Sequence, residues 1–213
     1  MWLNHGIAQA VYALKWCAGV VPVWSQAYGS CQLLDSTASR WSPEKSLRPC
    51  DTHRVIRRVE TDDWKRLRDV RLRALAADPE AFLETVATAR AFPAEQWRER
   101  ATPSAEQVTF AEERGDAFDG MVVGFVRGDA ATAYLVGMWV APGLRGSGVA
   151  RMLVERVLAW AREHGRTRVL LSVEAGNDRA ARLYEKCGFV ELPEEPEMPY
   201  EPNPGNRFFG YEL

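Results

Sequence analysis

The sequence predicts a mixed α/β domain in which a central sheet is flanked by helices, and two observations carry that prediction. Three strand-like runs at 108–112, 121–126 and 132–140 are separated only by tight-turn signals, which predicts an antiparallel meander. The third run then passes through a glycine-rich turn into an amphipathic helix and on to another apolar run at 168–173. A helical crossover of that kind predicts parallel pairing of 132–140 with 168–173. The sheet is therefore expected to be mixed.

Taken in order, residues 54–59 alternate as a first strand. Thr61-Asp62-Asp63 supplies an N-cap and an acidic first turn. Trp64, Leu67, Val70, Arg71, Leu72, Leu75 and Ala76 recur at helical spacing, and Asp78-Pro79 stops that helix. A less regular helical stretch covers 79–91, and Pro93 opens another turn around Trp97. Gly115-Asp116, Asp119-Gly120 and Gly128-Asp129 mark turns of the meander. Between 147 and 164, Val149, Met152, Leu153, Val157, Leu158, Trp160 and Ala161 form one helical face, closed by Gly165 at C′. Asn177 or Asp178 caps a short helix to Cys187, ended by Gly188 with Phe189 as its hydrophobic follower. Runs at 189–192 and 207–213 make the last strands, with a Pro- and Glu-rich loop between them.

Composition excludes several classes of function. With 46% hydrophobic and 26% charged residues among 213, the chain can bury a core as a globular protein does. Its formal net charge of -2 offers no global field for nucleic acid or an anionic membrane. Cys17, Cys31, Cys50 and Cys187 have no zinc-like spacing and no obvious disulfide framework, so a reduced, cytoplasmic protein without a metal is expected. Three of those cysteines and Trp2, Trp16, Trp24 and Trp41 precede His53, which makes the first segment compositionally foreign to the rest. Its apolar stretch from Ile7 to Trp24 lacks a preceding Lys or Arg and is interrupted by Gln9, Lys15 and Pro22, against a signal or a membrane span. Val55 is a natural domain start. The expected organisation is an extension over 1–53, poorly ordered or an upstream start-site artefact, and a domain over 54–213.

The stretch from Trp139 to Ala150 is the most informative. Pro142 breaks a strand, and Gly146 and Gly148 lead into a helix whose N-terminus exposes N–H groups and partial positive charge. Arg145 adds a cation. This is a cradle for a phosphorylated ligand. A Walker A loop needs Gly-Lys-Ser/Thr, which is missing here. A dinucleotide fingerprint needs a third glycine where Arg151 stands, and an acidic residue where Leu170 and Leu171 fall.

Arg145-x-x-Gly148-x-Ala150 after Trp139-Val140-Ala141-Pro142 instead resembles the Q/R-x-x-G-x-G/A motif of the GNAT (N-acetyltransferase) superfamily. The run Asn177-x-x-Ala180-x-x-Leu183-Tyr184-x-Lys186-x-Gly188-Phe189 is similar to a second segment of that family. The likeness covers residues from about 54 to 213. It implies a splayed mixed sheet with acetyl-CoA as co-substrate between the fourth and fifth strands. The pantetheine arm would pair with backbone near Met138, Trp139 and Val140. The pyrophosphate would sit on the N–H groups of Arg145, Gly146, Ser147, Gly148, Val149 and Ala150.

The resemblance also implies roles for single residues. Asn177 caps its helix by N-cap preference and would in addition contact the cofactor arm. Tyr184, two helical turns on, reads as half-buried packing by itself, whereas the family would use it to protonate the departing CoA thiolate. The Val140 N–H would stabilise the oxyanion. Ser172 occupies a position where some relatives carry a Glu base, leaving Glu174 as first candidate for the base, with a solvated surface carboxylate as its other reading. Cys187 reads as core. Glu191, Glu194, Glu195, Glu197 and Glu201 near Tyr200 form either an acidic rim for a cationic amine or a solvated loop. The expected partner is an amine acceptor, either a small cationic amine or a protein amine. Nucleic acid and a membrane span are not expected, and the chain is expected to act as monomer or homodimer. The competing reading is a non-catalytic acyl-CoA-binding module.

Overall fold

The computed structural model of the protein describes residues 55–213, so the expectations for residues 1–53 lie outside the described residues. Five α-helices and seven strands are present among them. The first strand, β1 (Val55–Arg58), leads through a 3-10 turn into α1 (Trp64–Ala77). A 3-10 turn at Pro79–Ala81, α2 (Val86–Ala91) and α3 (Ala94–Ala101) follow. The meander comprises β2 (Gln107–Arg114), β3 (Ala117–Val126) and β4 (Thr132–Val140). Then come α4 (Val149–Glu163), β5 (Arg168–Val173), α5 (Asp178–Lys186), β6 (Val190–Leu192) and β7 (Arg207–Glu212).

The strands lie in one sheet in the order β1-β2-β3-β4-β5-β7-β6. Every neighbouring pair is antiparallel except β4 and β5, which the α4 crossover makes parallel, as the sequence predicts. Local details differ from the expectations at element ends. Glu60, not Thr61, is the N-cap of the 3-10 turn that leads into α1, with Asp63 as its reciprocal partner in the capping box, and Asp63 is in turn the N-cap of α1. The stretch expected to be helical from 79 to 91 is helical only in pieces, because Pro79 sets one short turn and Thr85 must cap a second start, accepting from the Thr88 N–H at 3.1 Å.

Two apolar layers fix the sheet between its helices. Val108, Phe110, Val122, Ala133, Leu135, Val140, Val169, Leu171 and Val173 meet the inward faces of α4 and α5 on one side. Ala111, Phe118, Met121 and Trp139 meet Leu67, Val70 and Ala74 of α1 on the other. Trp97 on α3 is fully buried against Leu75 and Ala89, tying the helices of that side together. Because strand residues alternate between faces, Leu170 and Ser172 project to the side of α1, opposite to Val169, Leu171 and Val173.

The first strand is anchored by charge. Arg57 donates to Asp63 at 2.7 and 2.8 Å and to Glu113 of β2 at 2.7 Å, and Arg66 of α1 reaches Glu113 at 2.8 Å. The Arg57 hydrogen bonds hold the Asp63 carboxyl down to about 2 from its ordinary 3.8, against the opposing pull of burial. A carboxyl depressed on folding contributes stability above its unfolded pKa and loses it as pH falls through the folded value. Asp63→Asn keeps one acceptor, for the Glu60 N–H, but removes the charge and sets an amide NH2 where the other carboxylate oxygen accepts from Arg57. It is expected to cost about 1–2 kcal/mol at pH 7, after allowance for screening by water. In urea titrations the gap between the two proteins should close between pH 4 and pH 2; a gap independent of pH would show that the ion pairs contribute nothing.

Candidate active site

The β4 strand prepares the site by leaving its neighbour. Its parallel ladder with β5 is limited to Thr132–Arg168, Ala133–Val169 and Tyr134–Leu170. Just beyond, the register with β3 jumps: Val123 faces Val136 but Met121 faces Trp139, so Gly137 and Met138 bulge opposite Val122. Bulges bend a strand and increase its twist, and this one turns the end of β4 away from β5. Gly137 sits at φ +62°, the left-handed region that glycine tolerates.

The bend opens a cleft between the ends of the two strands. Ala141 N–H donates to Asp119 O at 2.8 Å on the β3 side, so alternation turns the N–H and C=O of Val140 to the cleft. The Val140 carbonyl accepts from Arg145 Nε at 3.1 Å. Its N–H is likewise turned to the cleft, away from β3. Met138 is half-buried against the α4 side of the core, and the Trp139 ring is buried on the α1 side.

At the mouth of the cleft the chain makes the glycine turn. A 3-10 turn at Pro142–Leu144 precedes it, and within it Arg145 N–H bonds Pro142 O and Ser147 N–H bonds Leu144 O, both at 3.2 Å. The Ser147 hydroxyl also donates to Leu144 O at 2.6 Å. Two of the six expected phosphate donors are thus committed within the turn. The N–H groups of Gly146, Gly148, Val149 and Ala150 make no backbone hydrogen bond among the described residues, and the first bond of α4 runs from Met152 N–H to Gly148 O. Gly146 and Gly148 have φ of 84° and 90°, and a Cβ on either would meet nothing within 4 Å. The turn therefore presents donors and open space at the positive end of a four-turn helix, which fits a pyrophosphate.

Arg145 does more than add charge. Its Nη2 bonds Asp78 Oδ2 at 2.5 Å, and the same oxygen accepts from Trp139 Nε1 at 2.8 Å. Asp78 thereby clamps the end of α1, the tip of β4 and the glycine turn together. The sequence shows Asp78 only as a helix stop before Pro79, since nothing local reveals partners 61 and 67 residues away.

The second half of the site comes from α5. Asn177 is its N-cap, accepting from Ala180 N–H at 3.1 Å, as capping preference predicts. Tyr184 is buried, with Phe189 edge-on at 5.7 Å and Phe209 at 6.5 Å. Burial pushes its hydroxyl well above the usual phenol range, and neighbouring Cys187 and Tyr200 push it further. Cys187 is half-buried rather than fully in the core, and its thiol is pushed up chiefly by burial.

On the α1 side of the sheet, Ser172 Oγ shares a 3.1 Å hydrogen bond with Tyr200, and Asn206 Nδ2 approaches it at 3.4 Å. Asn206 Oδ1 is buried with no hydrogen-bond partner among the described residues. Asn206 carries no motif that singles it out in the sequence. Glu174 follows the end of β5, half-buried, with its main-chain carbonyl accepting from Asn177 N–H at 3.1 Å. Of the acidic rim, Glu191 lies on β6 and is paired with Arg207 at 2.6 Å, whereas Glu194, Glu195, Glu197 and Glu201 are exposed. Among the described residues no helix is long and apolar enough to cross a membrane, and no cluster of His, Cys, Asp and Glu is arranged to hold a metal.

Comparison with known proteins agrees with this geometry. An uncharacterized N-acetyltransferase of Mycobacterium tuberculosis is 42% identical over 74 residues, which is 33% of this chain and 47% of that protein, so the chain spans about half the length of such curated relatives. A GNAT-family acetyltransferase from Streptococcus pneumoniae superposes with a TM-score of 0.62 at 19% identity, over 76% of this chain and all of that one. Salmonella typhimurium yncA, solved with its cofactor acetyl-CoA, gives 0.57 at 19% identity over 76% and 95%. Residues 66–189, more than half of the chain, match the model of the acetyltransferase (GNAT) family, and the chain belongs to that family.

Proposed function

We propose that the chain is an acetyl-CoA-dependent N-acetyltransferase that transfers the acetyl group directly to a primary amine. The observation that carries this reading is the parting of β4 from β5 beside a glycine turn with four uncommitted N–H donors. An unpaired strand edge suits the amide-bearing pantetheine arm, and donors at a helix N-terminus suit a pyrophosphate. The relative yncA, solved with acetyl-CoA, supports the same ligand.

Bound acetyl-CoA supplies a thioester carbonyl open to attack, and the residues of the chain do the rest. The Val140 N–H faces the cleft and donates to the carbonyl oxygen as negative charge develops on it, a contribution of about 3 kcal/mol for such donors. Backbone of Met138, Trp139 and Val140 orients the arm, and Asn177 steadies it from the start of α5. The C–N bond forms as the C–S bond breaks, and Tyr184 gives its hydroxyl proton to the departing sulfur. Its raised pKa keeps that proton in place throughout the neutral range. An ammonium cannot attack, so Glu174 takes the proton of the amine and passes it to water. Water in turn restores Tyr184.

Tyr184→Phe is expected to lower kcat by at least about 100-fold while leaving acetyl-CoA affinity within a factor of two. The check is thiol release with acetyl-CoA across a panel of amines, paired with calorimetry; equal turnover over the whole pH profile would remove Tyr184 as the acid. Arg145→Glu places a carboxylate against Asp78 and beside the pyrophosphate. Its acetyl-CoA affinity should fall at least about tenfold by calorimetry, the effect of losing one charge-assisted bond. Unchanged affinity would refute the cradle.

A further inference from the structure

The end of α1 carries a carboxylate that the transfer step does not use. Asp78 is the C-cap of that helix, with its N–H bonded to Ala74 O at 3.0 Å and its carbonyl accepting from Ala81 N–H at 3.1 Å. Pro79 follows and fixes the next φ, so the side chain starts from a backbone held at a corner. Its Oδ2 accepts from Trp139 Nε1 at 2.8 Å and from Arg145 Nη2 at 2.5 Å. A charge-assisted bond such as the second is about twice as strong as a neutral one. Asp78 and Arg145 are 34% and 28% exposed, so water screens the pair only in part.

Both bonds act on Val140. Trp139 precedes it, so the anchored indole restrains the peptide group that carries the Val140 N–H. Arg145 Nε donates to Val140 O at 3.1 Å, so the anchored guanidinium restrains the peptide group that follows. Arg73 of α1 closes the frame: its guanidinium lies over the Trp139 ring at 5.8 Å, and its Nη1 bonds Asp119 at 3.1 Å, the residue whose carbonyl receives Ala141 N–H. The Val140 donor is thus held between two peptide groups whose restraints converge on one carboxylate. That carboxylate also acts on the glycine turn. Arg145 opens the turn, and its Nη1 makes no hydrogen bond among the described residues. Any attraction of Arg145 for a phosphate on the turn is opposed by the negative charge of Asp78, bonded to the same guanidinium.

We infer that Asp78 is a positioning residue of acetyl transfer, which sets the Val140 donor against the thioester oxygen while weakening the grip on the cofactor phosphates. Removal of its charge therefore has two effects of opposite sign. Arg145 turns its full charge on the pyrophosphate and the cofactor binds more tightly, whereas the tip of β4 loosens and the oxyanion is stabilised less well. A residue that only held the fold together would lower affinity and turnover in parallel. This assignment rests on the acetyl-transfer reading above and adds a residue to the same site.

The test pairs calorimetry with acetyl-CoA and thiol release in the presence of whichever amine, from a panel of diamines and peptide amines, wild type turns over fastest. Asp78→Asn keeps an acceptor for Trp139 Nε1 and removes the charge. Its Kd for acetyl-CoA should fall about three- to tenfold at low salt, and the gain should shrink as salt is raised. Its kcat should fall at least about tenfold, the scale of a misplaced donor. Asp78→Glu restores the charge but not the spacing, so affinity should return towards wild type while kcat stays low. Affinity and turnover falling together in Asp78→Asn would overturn the inference, as would an unchanged kcat. Should Asp78→Asn melt below the assay temperature, Asp78→Glu decides: reduced kcat at wild-type affinity supports the assignment, and unchanged kcat removes it. These failures leave the acetyl-transfer reading standing. A wild type that binds no acetyl-CoA, or binds it and turns over no amine, sinks that reading and this inference with it.

Discussion

The parting of β4 from β5 is the constraint on which the site depends. Backbone N–H and C=O groups inside a protein must find partners, and the inside edge of a parallel sheet is normally paired along its length. Here the ladder stops after Tyr134–Leu170, and β4 continues to Val140 while β5 continues to Val173. The interruption is built into both strands. A two-residue bulge at Gly137 bends one of them, and β7 holds the other straight by pairing with β5 along its whole length, from Arg168–Glu212 to Val173–Arg207. The two strands are kept apart by different neighbours, which is why the cleft survives as a permanent feature of the fold.

The second requirement is that the phosphate turn stay in register with that strand edge. A glycine-rich turn alone is loose, because glycine loses the most conformational freedom on ordering. The Arg145–Asp78–Trp139 group removes the freedom by joining three elements at one carboxylate oxygen, while Val140 O receives the same guanidinium. Arg145 is thus a structural strut as well as a cation. In the proposed acetyl-CoA complex Asp78 moderates its charge at the pyrophosphate, which leaves the larger share of the phosphate interaction to the main-chain donors.

Much of this was legible in the residues. Periodicity located the strands and α4, the helical crossover announced the parallel pair, and turn chemistry placed Gly165 and Asn177 at the helix ends where the structure has them. The family motifs pointed to the glycine turn and to Tyr184. Tertiary pairings between distant positions were not legible. Asp78 reads locally as a helix stop, Arg71 as one more position on an amphipathic face, and Asn206 as a loop residue. Only folding brings Arg71 to Gly137, or Tyr200 to Ser172. The bulge is not legible in the sequence because Gly137 sits in an otherwise regular apolar run, and a register jump is a property of two strands together. The pairing of Glu191 is likewise tertiary, since Arg207 stands beyond the loop at the start of β7.

Tyr184 shows why packing and catalysis are poor alternatives for such a residue. Its aromatic contacts to Phe189 and Phe209 are what bury it, and burial is what raises its pKa. A phenol made harder to ionise is a weaker acid, which on its face argues against proton donation to a thiolate. The relevant quantity, however, is the match between donor and leaving group in the same surroundings. A sulfur lodged beside Tyr184 loses hydration to the same apolar walls, and desolvation raises the pKa of a thiol as it does that of a phenol. Cys187 illustrates the point within this protein, since its own thiol is pushed up by partial burial a single helical turn away. In the proposed reaction the two groups therefore rise together, and the proton that Tyr184 gives to sulfur leaves a phenolate that water reprotonates.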